Sequence, residues 1–557
     1  MTAEIMKERE IKPVRLRAFL EEMGNCKEGM HKERSPITIP SEPLTFPLRQ
    51  AARQFPEKVA VISPEAEGKE TTYRQLEEQS SILAASLIDL GVAPGDRVAL
   101  WMKNGLEYIL SFYGILKAGA VVVPISTHYG HREVSHQLTL TQASGLLAQE
   151  GLISSLGDSA SAFKTLRFVV SDGGGDPPPR AVSFSSLMRG STRLDRSVGI
   201  DPEQTLAVLP FSSGTTGLPK GVMLTHANLL SNLYQIIQAH EVSDSDLLIN
   251  QLPFFHIYGM TVLMGAAIMA GATQVVASRF RPLEDFLNLF ETFRPTLFFT
   301  VPLIIQEFCH HPRVPNMDWR RLRYINTGGA PLAPDLQERF TRITGVPVMQ
   351  GYGLTESSPT THVNPIDAIK VGTIGLPLAN TEDRIVDPLP GEELPSPEVG
   401  ELWVRGPQVM KGYFRDPDAT ARTLVGGWLR TGDLAMKDEE GYVTIVDRLK
   451  ELIKTKGYQV APAEIEHILV GHPDIQDAAV VGEFHPDFGE VPVAYVALRP
   501  RAVVSPEAII EYAAEGMAKY KRLARVVMVD AIPRSPSGKI LRRVLKETRS
   551  PESPHLL

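Results

Sequence analysis

Cysteine is nearly absent: Cys26 and Cys309 are the only two in 557 residues, far apart and without metal-ligand spacing. That excludes a disulfide scaffold. Long apolar runs are missing too. The longest, residues 262–277, is broken by Gly265, Gly271 and Thr273 and is too short to span a bilayer, so it reads as a buried helix followed by a strand. The N-terminal MTAEIMKERE is charged and has no apolar signal-peptide core, which makes the cytoplasm the expected location. Nor is there a surplus of positive charge. With 57 Lys and Arg against 65 Asp and Glu the chain carries −8. No nucleic acid is expected as a partner, and an anionic substrate has to be held by local basic groups. Internal repeats and low-complexity tracts are also absent. What remains is the composition of an ordinary globular protein, 43% hydrophobic and 22% charged. The chain is too long for one core and is expected to form two or more domains.

Residues 1–44 are charged, lack clear periodicity and read as an N-terminal extension. From about Thr45, helical patterns at 76–90 and 106–118 alternate with β-rich runs at 98–102 and 121–124. Such alternation predicts a parallel α/β sheet. The run DGGGDPPPR at 172–180 is a loop by composition, and a second α/β run extends to about Asn364. Beyond Val371 come short strands, such as 401–404 and 442–446, with a hairpin turn at 438–441. After Asp447 the pattern becomes compact α+β, where Ser505 as N-cap and Pro506 at the first helical position mark a helix start. The expected fold class is therefore α/β. A large domain over 45–447, built of two α/β subdomains and a small β subdomain, is followed by a small α+β C-terminal domain over 448–557.

The stretch richest in chemistry is 210–226, PFSSGTTGLPKGVMLTH. Leu206 to Phe211 suit a short buried strand, and Leu229, Leu230, Leu233, Ile236 and Ile237 recur beyond it at helical spacing. Between them Gly214, Gly217 and Gly221 alternate with Ser212, Ser213, Thr215 and Thr216, joined by Lys220. Such a loop offers N–H groups, hydroxyls and one ammonium to a polyphosphate, its glycines permit close approach, and a nearby helix start adds a favourable dipole. The Walker A spacing is not met, since Pro219 precedes Lys220 and Gly221 follows it. Composition alone would equally describe a Gly/Ser surface turn. The full string Ser-Ser-Gly-Thr-Thr-Gly-Leu-Pro-Lys-Gly resembles, residue for residue, the phosphate loop of the adenylate-forming superfamily. That superfamily includes acyl-CoA synthetases, peptide-synthetase adenylation domains and insect luciferases.

Other stretches carry the same resemblance and imply roles. In NTGGAPL (326–332), Gly328, Gly329 and Ala330 would let a flat ring lie against backbone. In QGYGLTES (350–357), Gln350 and Gly351 would line the nucleotide site, Tyr352 stack on adenine and Thr355 contact the α-phosphate, while Glu356, with Thr215, would hold Mg²⁺. RTGD (430–433) resembles the ribose clamp, with Asp433 accepting both hydroxyls. In DRLKELIKTKGY (447–458), Arg448 would assist the ribose and Lys450 would be the hinge of a mobile small domain. Lys454, Lys456 and Gly457 would approach nucleotide or CoA in the second half-reaction. In PRSPSGKILRR (533–543), Lys539 matches the lysine that touches the substrate carboxylate and the α-phosphate; a compact ammonium can bridge two anions that repel each other. PFFHIYG (253–259) resembles the stretch beside the acyl pocket, where His256 and Tyr258 would join Gly328 and Thr360, and Arg279 would meet a CoA phosphate.

The resemblance implies an ATP-dependent carboxylate–CoA ligase using ATP, Mg²⁺ and coenzyme A. The acid would first form an acyl-adenylate with release of pyrophosphate, and the CoA thiol would then displace AMP. Residues 253–258 hold no acid to pair with a substrate ammonium, which disfavours an α-amino acid. The wall of Phe255, Tyr258, Val262, Thr360, Thr361 and Val363 is apolar with a few hydroxyls and would accept an alkyl chain or an aromatic ring. The order Ser-Ser-Pro-Thr-Thr-His-Val-Asn-Pro after Glu356 resembles medium- and long-chain fatty acyl-CoA synthetases somewhat more than 4-coumarate ligases. A fatty acid is thus the first expectation and an aryl acid the alternative. Transfer to a carrier protein, and a nucleotide-binding regulator without turnover, stay open.

Overall fold

The structure is a computed structural model that describes residues 34–66, 68–155, 166–172, 181–190, 198–212, 219–278, 280, 282–388, 391–455, 458–515, 517–535 and 538–547. Ser213, Gly214, Thr215, Thr216, Arg279, Lys456 and Gly457 lie outside these residues, as does most of the expected loop at 172–180.

Among the described residues the strands gather into four sheets. One runs Leu376–Pro377, Thr360–Val363, Val348–Gly353, Tyr324–Thr327, Leu297–Thr300, Leu247–Asn250, Thr273–Val276, Val59–Ser63, Lys69–Thr72 from edge to edge. A second runs Gly412–Tyr413, Lys220–Thr225, Leu206–Val208, Val121–Pro124, Arg97–Trp101, Gly145–Gln149, Phe168–Asp172, Ala181–Ser183. Their central strands are parallel, as the α/β alternation predicts. The helices Tyr73–Asp89, Leu106–Lys117 and His226–His240 share one continuous core with residues of both sheets, from Leu100 and Val122 to Phe299 and Tyr324.

The third sheet, with Gly400–Arg405 and Trp428–Lys437 at its centre, is the small β unit. Its hairpin turn is made by Asp438, whose carboxylate accepts the N–H groups of Glu440 and Tyr442. The fourth sheet belongs to the smaller C-terminal domain. Ile475–His485 and Gly489–Leu498 pair over their whole length, and Pro462–Val470 and Pro506–Ala514 pack on one face. Ser505 caps the latter helix by accepting the Ala508 N–H at 3.2 Å.

Three local features depart from the sequence expectation or refine it. The helix beyond the phosphate loop does not follow it directly. Lys220–Thr225 is a strand that folds back on Phe211–Ser212, and the helix begins only at His226, capped by Thr225. Six extended residues span roughly 20 Å, so the dipole of that helix acts away from the loop. The apolar run forms a helix and then the strand Thr273–Val276, but Tyr258–Gly265 is wound as a π-helix before α-helical Ala266–Ala270. Finally, residues 34–44 lie along the large domain. Arg34 donates to the carbonyls of Leu376, Pro377 and Val363, and the Leu44 N–H donates to His226 Nδ1 at 3.0 Å.

Candidate active site

One part of the expected site lies at the C-terminal ends of parallel strands, where open α/β sheets bind their ligands. Thr300, Thr327 and Gln350 are in register on three neighbouring strands; Gly328–Ala330 leave the second, and the third continues through Gly353, paired with Thr360–Val363, to Thr355 and Glu356. Gly329 has φ +81°, a left-handed conformation that suits glycine. Gln350 Oε1 accepts the Leu332 N–H, which ties the two segments together.

Lys220 sits opposite Ser212 in the antiparallel hairpin. Its ammonium lies 3.1 Å from Asp416 Oδ2 and 5.2 Å from the centre of the Tyr413 ring. The Ala419 N–H and then Lys220 hold the Asp416 carboxyl below the usual carboxylate range. Tyr413 in turn donates its hydroxyl to Glu356 Oε1 at 2.9 Å. Glu356 stands on the short turn Thr355–Ser357, whose position is fixed by the Met410 N–H donating to the Glu356 carbonyl. No group of three or more His, Cys, Asp or Glu that could hold a metal occurs among the described residues. A single carboxylate completed by phosphate oxygens and water is the way Mg²⁺ is ordinarily held, and Glu356, with one oxygen engaged by Tyr413, fits that.

Asp433 and Arg448 are cross-strand neighbours at the end of the small β unit. Arg448 Nε is 2.9 Å from Asp433 Oδ1, and Tyr352 donates its hydroxyl to Oδ2. Burial, then the Asp433 charge, raises the Tyr352 phenol well above its usual value, so it stays a donor. The turn before Asp433 is braced by buried Glu401, which accepts from the Gly432 N–H, the Trp403 indole and Arg430. Glu401, Tyr413 and Asp416 were not singled out from sequence. Each acts through a partner far along the chain, and no short motif marks them.

On the acyl side, the Tyr258 ring lies 3.5 Å from where a side chain on Gly328 would begin. Its hydroxyl reaches the carbonyls of Thr300 and Asn326. His256 Nδ1 accepts the Tyr258 N–H, and burial, then the Lys539 charge, pushes the His256 pKa down to about 3. Thr360 is buried and clamped through its backbone by Asn232, whose amide accepts the Thr360 N–H at 3.0 Å and donates to its carbonyl at 2.8 Å. Asn232 belongs to a buried amide network with Gln235 and Gln408 that ties the central helix to both walls.

Lys539 of the small domain enters this same site. Burial, then the charge of Arg448, lowers its pKa, while Asp433 and Glu356 oppose the shift. The preceding Gly538 lies against Val301. Lys454 is exposed on Ile453–Thr455, its N–H donating to Glu490 at 2.8 Å, and Lys450 is exposed as well. The structure thus gathers Lys220, Glu356, Tyr352, Asp433, Arg448, His256, Tyr258 and Lys539, and leaves Lys450 and Lys454 outside.

Comparison with known proteins agrees with this arrangement. The family model described as AMP-binding enzyme matches residues 48–414, and that of the AMP-binding enzyme C-terminal domain matches residues 464–539. The chain is 37% identical over 493 residues to 4-coumarate–CoA ligase 1 of Petroselinum crispum, covering 86% of this chain and 89% of that one. It is 34% identical to 4-coumarate–CoA ligase CCL1 of Humulus lupulus, covering 94% and 98%. Among solved structures, the anthranilate CoA ligase AuaEII with anthranoyl-AMP superposes with a TM-score of 0.85 at 25% identity, over 92% of this chain and 98% of that one. ATP-bound MatB from Rhodopseudomonas palustris superposes with a TM-score of 0.83 at 29% identity, over 91% and 99%. Among the described residues, no helix is long and apolar enough to cross a membrane. The chain belongs to the AMP-binding enzyme family and is an AMP-forming acid–CoA ligase that works with ATP, Mg²⁺ and coenzyme A.

Proposed function

We propose that the acid is aromatic, of the hydroxycinnamate or benzoate kind. The observation that carries this reading is the similarity to 4-coumarate–CoA ligases over most of the chain, 37% identical over 493 residues in one case. On the acyl side the side-chain-free backbone of Gly328 lies close to the Tyr258 ring, 3.5 Å from a notional Cβ, and an apolar wall with an aromatic face suits an aromatic acid. Relatives named as 4-coumarate and anthranilate ligases support the same class, and they lend no support to the fatty acid expected first from residues 357–365.

In the first half-reaction the acid carboxylate attacks the α-phosphorus of ATP, the bond to pyrophosphate breaks, and an acyl-adenylate forms. We assign the β- and γ-phosphates to Lys220 and the loop beginning at Ser212. Lys220 and Asp416 are both more than a third exposed, so exchanging that carboxylate for phosphate costs little. Glu356 would hold Mg²⁺, which when bound offsets the phosphate charge. Asp433 keeps acceptor capacity for the ribose beside its bonds to Tyr352 and Arg448, since an ionised carboxylate offers about four lone-pair sites. Lys539 spans the attacking carboxylate and the α-phosphate, stabilising charge where it develops. His256, with its pKa near 3, is neutral at working pH and positions the acyl group without moving a proton.

The second half-reaction, attack of the CoA thiol and departure of AMP, we assign to Lys454 with Lys456 and Gly457 after rotation about Lys450. The domain boundary then falls between 447 and 448.

Pyrophosphate release across fatty and aryl acids, with and without CoA, tests the reading. Release that requires an aryl acid, with AMP and aryl-CoA appearing only when CoA is present, is expected. Release with fatty acids alone would overturn the substrate class, and release without thioester formation would favour a carrier protein as acceptor.

A further inference from the structure

The strand that carries Asp433 leaves its regular ladder where Asp433 stands. Glu401 pairs with Leu434 and Trp403 with Arg430, so Thr431, Gly432 and Asp433 lie opposite Leu402 alone. A bulge of this kind bends the strand and re-aims a side chain, and its extra residues need other partners. The Thr431 hydroxyl donates to the Leu402 carbonyl at 2.7 Å, and Thr431 Oγ1 accepts the Asp433 N–H at 3.1 Å. Gly432 has φ +72°, and its carbonyl accepts the Leu449 N–H at 2.9 Å. The Gly432 N–H is taken by Glu401 Oε1 at 3.1 Å.

Glu401 is only 2% exposed, and its other oxygen is equally committed. Oε2 accepts from the Trp403 indole at 2.9 Å and from Arg430 Nε and Nη2 at 3.1 and 2.9 Å. The guanidinium groups of Arg384 and Arg430 lie over the Trp403 ring at 4.8 and 5.4 Å, which fixes the indole that donates. A buried carboxylate is costly unless it is paired and hydrogen-bonded; this one is both. An amide could not replace it. One of the two terminal atoms of an amide is a donor, and donors reach Glu401 at both oxygens.

We propose that Glu401 is a positioning residue for the nucleotide, whose two oxygens hold the Thr431–Asp433 bulge in the shape that turns the Asp433 carboxylate towards both ribose hydroxyls. This rests on the reading of Asp433 as the ribose acceptor. Asp433 is already engaged by Arg448 on Oδ1 and by Tyr352 on Oδ2. Little freedom is left for it to follow the ribose if the bulge relaxes, and a misplacement of about 1 Å is enough to lose such contacts.

The test measures kcat and KM for acid-dependent pyrophosphate release with ATP, 2′-deoxy-ATP and 3′-deoxy-ATP, in the full chain and in Glu401→Gln. The wild-type chain is expected to prefer ATP to either deoxynucleotide by at least about tenfold in kcat/KM, the factor that corresponds to 1.4 kcal/mol. In Glu401→Gln that preference should fall below about threefold, through a higher KM for ATP at little-changed kcat, as loss of uniform binding does. A merely structural role would lower all three nucleotides by one factor and leave the preference standing, which would overturn the assignment. Trp403→Phe keeps the ring and removes one donor to Glu401, and it should narrow the preference less. If Glu401→Gln fails to fold, an unchanged preference in Trp403→Phe would overturn the assignment. Equal use of all three nucleotides by the wild-type chain would overturn the ribose reading of Asp433 itself, and the role of Glu401 with it.

Discussion

Lys539 is positioned by contacts made within its own small domain. Arg534 forks onto Asp477 at 2.9 and 2.7 Å and donates a third bond, of 2.7 Å, to the carbonyl of Gly538. Gly538 has φ +83°, a conformation that glycine takes without strain, and it delivers the next residue, Lys539, into the site. The Lys539 N–H bonds Ser535 Oγ at 3.1 Å, closing the same turn. A planar guanidinium can make this pattern, and an ammonium cannot. Arg534→Ala should therefore slow acid-dependent pyrophosphate release by roughly 100-fold, the size of effect that follows a misplacement of about 1 Å. Thioester formation from supplied acyl-AMP should be nearly unaffected, and Asp477→Asn should repeat the pattern more weakly. Equal loss in both half-reactions would mean that Arg534 serves the domain's stability only.

At the scale of elements, sequence periodicity found what local physics controls. The helices Tyr73–Asp89 and Leu106–Lys117 and the strands Arg97–Trp101 and Val121–Pro124 lie within a few residues of their expected places, because each buries its own apolar stripe. The candidate site residues Asp433, Glu356 and Lys539 are legible only through resemblance to a known family. The residues that brace them, Glu401, Tyr413 and Arg534, are not legible in that way, since a buried ion pair or hydrogen bond between distant segments leaves no periodic trace. The π-winding of Tyr258–Gly265 was also hidden, because an apolar run looks the same in any helix. Near its start, a Cβ on Gly259 would stand 2.2 Å from the Pro253 carbonyl oxygen, so backbone packs directly on backbone there. π-Turns of this kind occur often at functional sites, and this one starts at the acyl-side Tyr258. Gly259→Ala should destabilise the large domain by about 1–3 kcal/mol, as overpacking does, and raise KM for the acid more than for ATP. A fall in thermal midpoint with no change in the ratio of the two KM values would separate the packing role from the pocket role.

At the scale of the whole molecule, the proposed rotation about Lys450 starts from the arrangement seen in the structure. Lys539 is in the site and Lys454 is at the surface. Among the described residues, exposed hydrogen bonds join the two domains: Gln306 donates to the Gln476 carbonyl at 2.8 Å, and Arg499 donates to His310 at 2.9 Å. At the boundary, Asp447 accepts the Ala463 N–H at 3.1 Å near the start of the helix Pro462–Val470. Exposed polar contacts of this sort are each worth about 1 kcal/mol or less, so the closed arrangement can be left without unfolding either domain. If the chain turns about Lys450, the two lysines must fail in opposite halves of the reaction. Lys539→Ala should lose acid-dependent pyrophosphate release by at least about 100-fold, a loss of the kind expected when a charge-stabilising group is removed, yet still convert supplied acyl-AMP and CoA to thioester. Lys450→Pro fixes φ near −65° and removes an N–H. It should keep adenylate formation and lose the thioester step, so that acyl-AMP accumulates. Thioester formation at wild-type rate in Lys450→Pro would place the pivot elsewhere, and loss of both steps in Lys539→Ala would show that one orientation of the small domain serves the whole reaction.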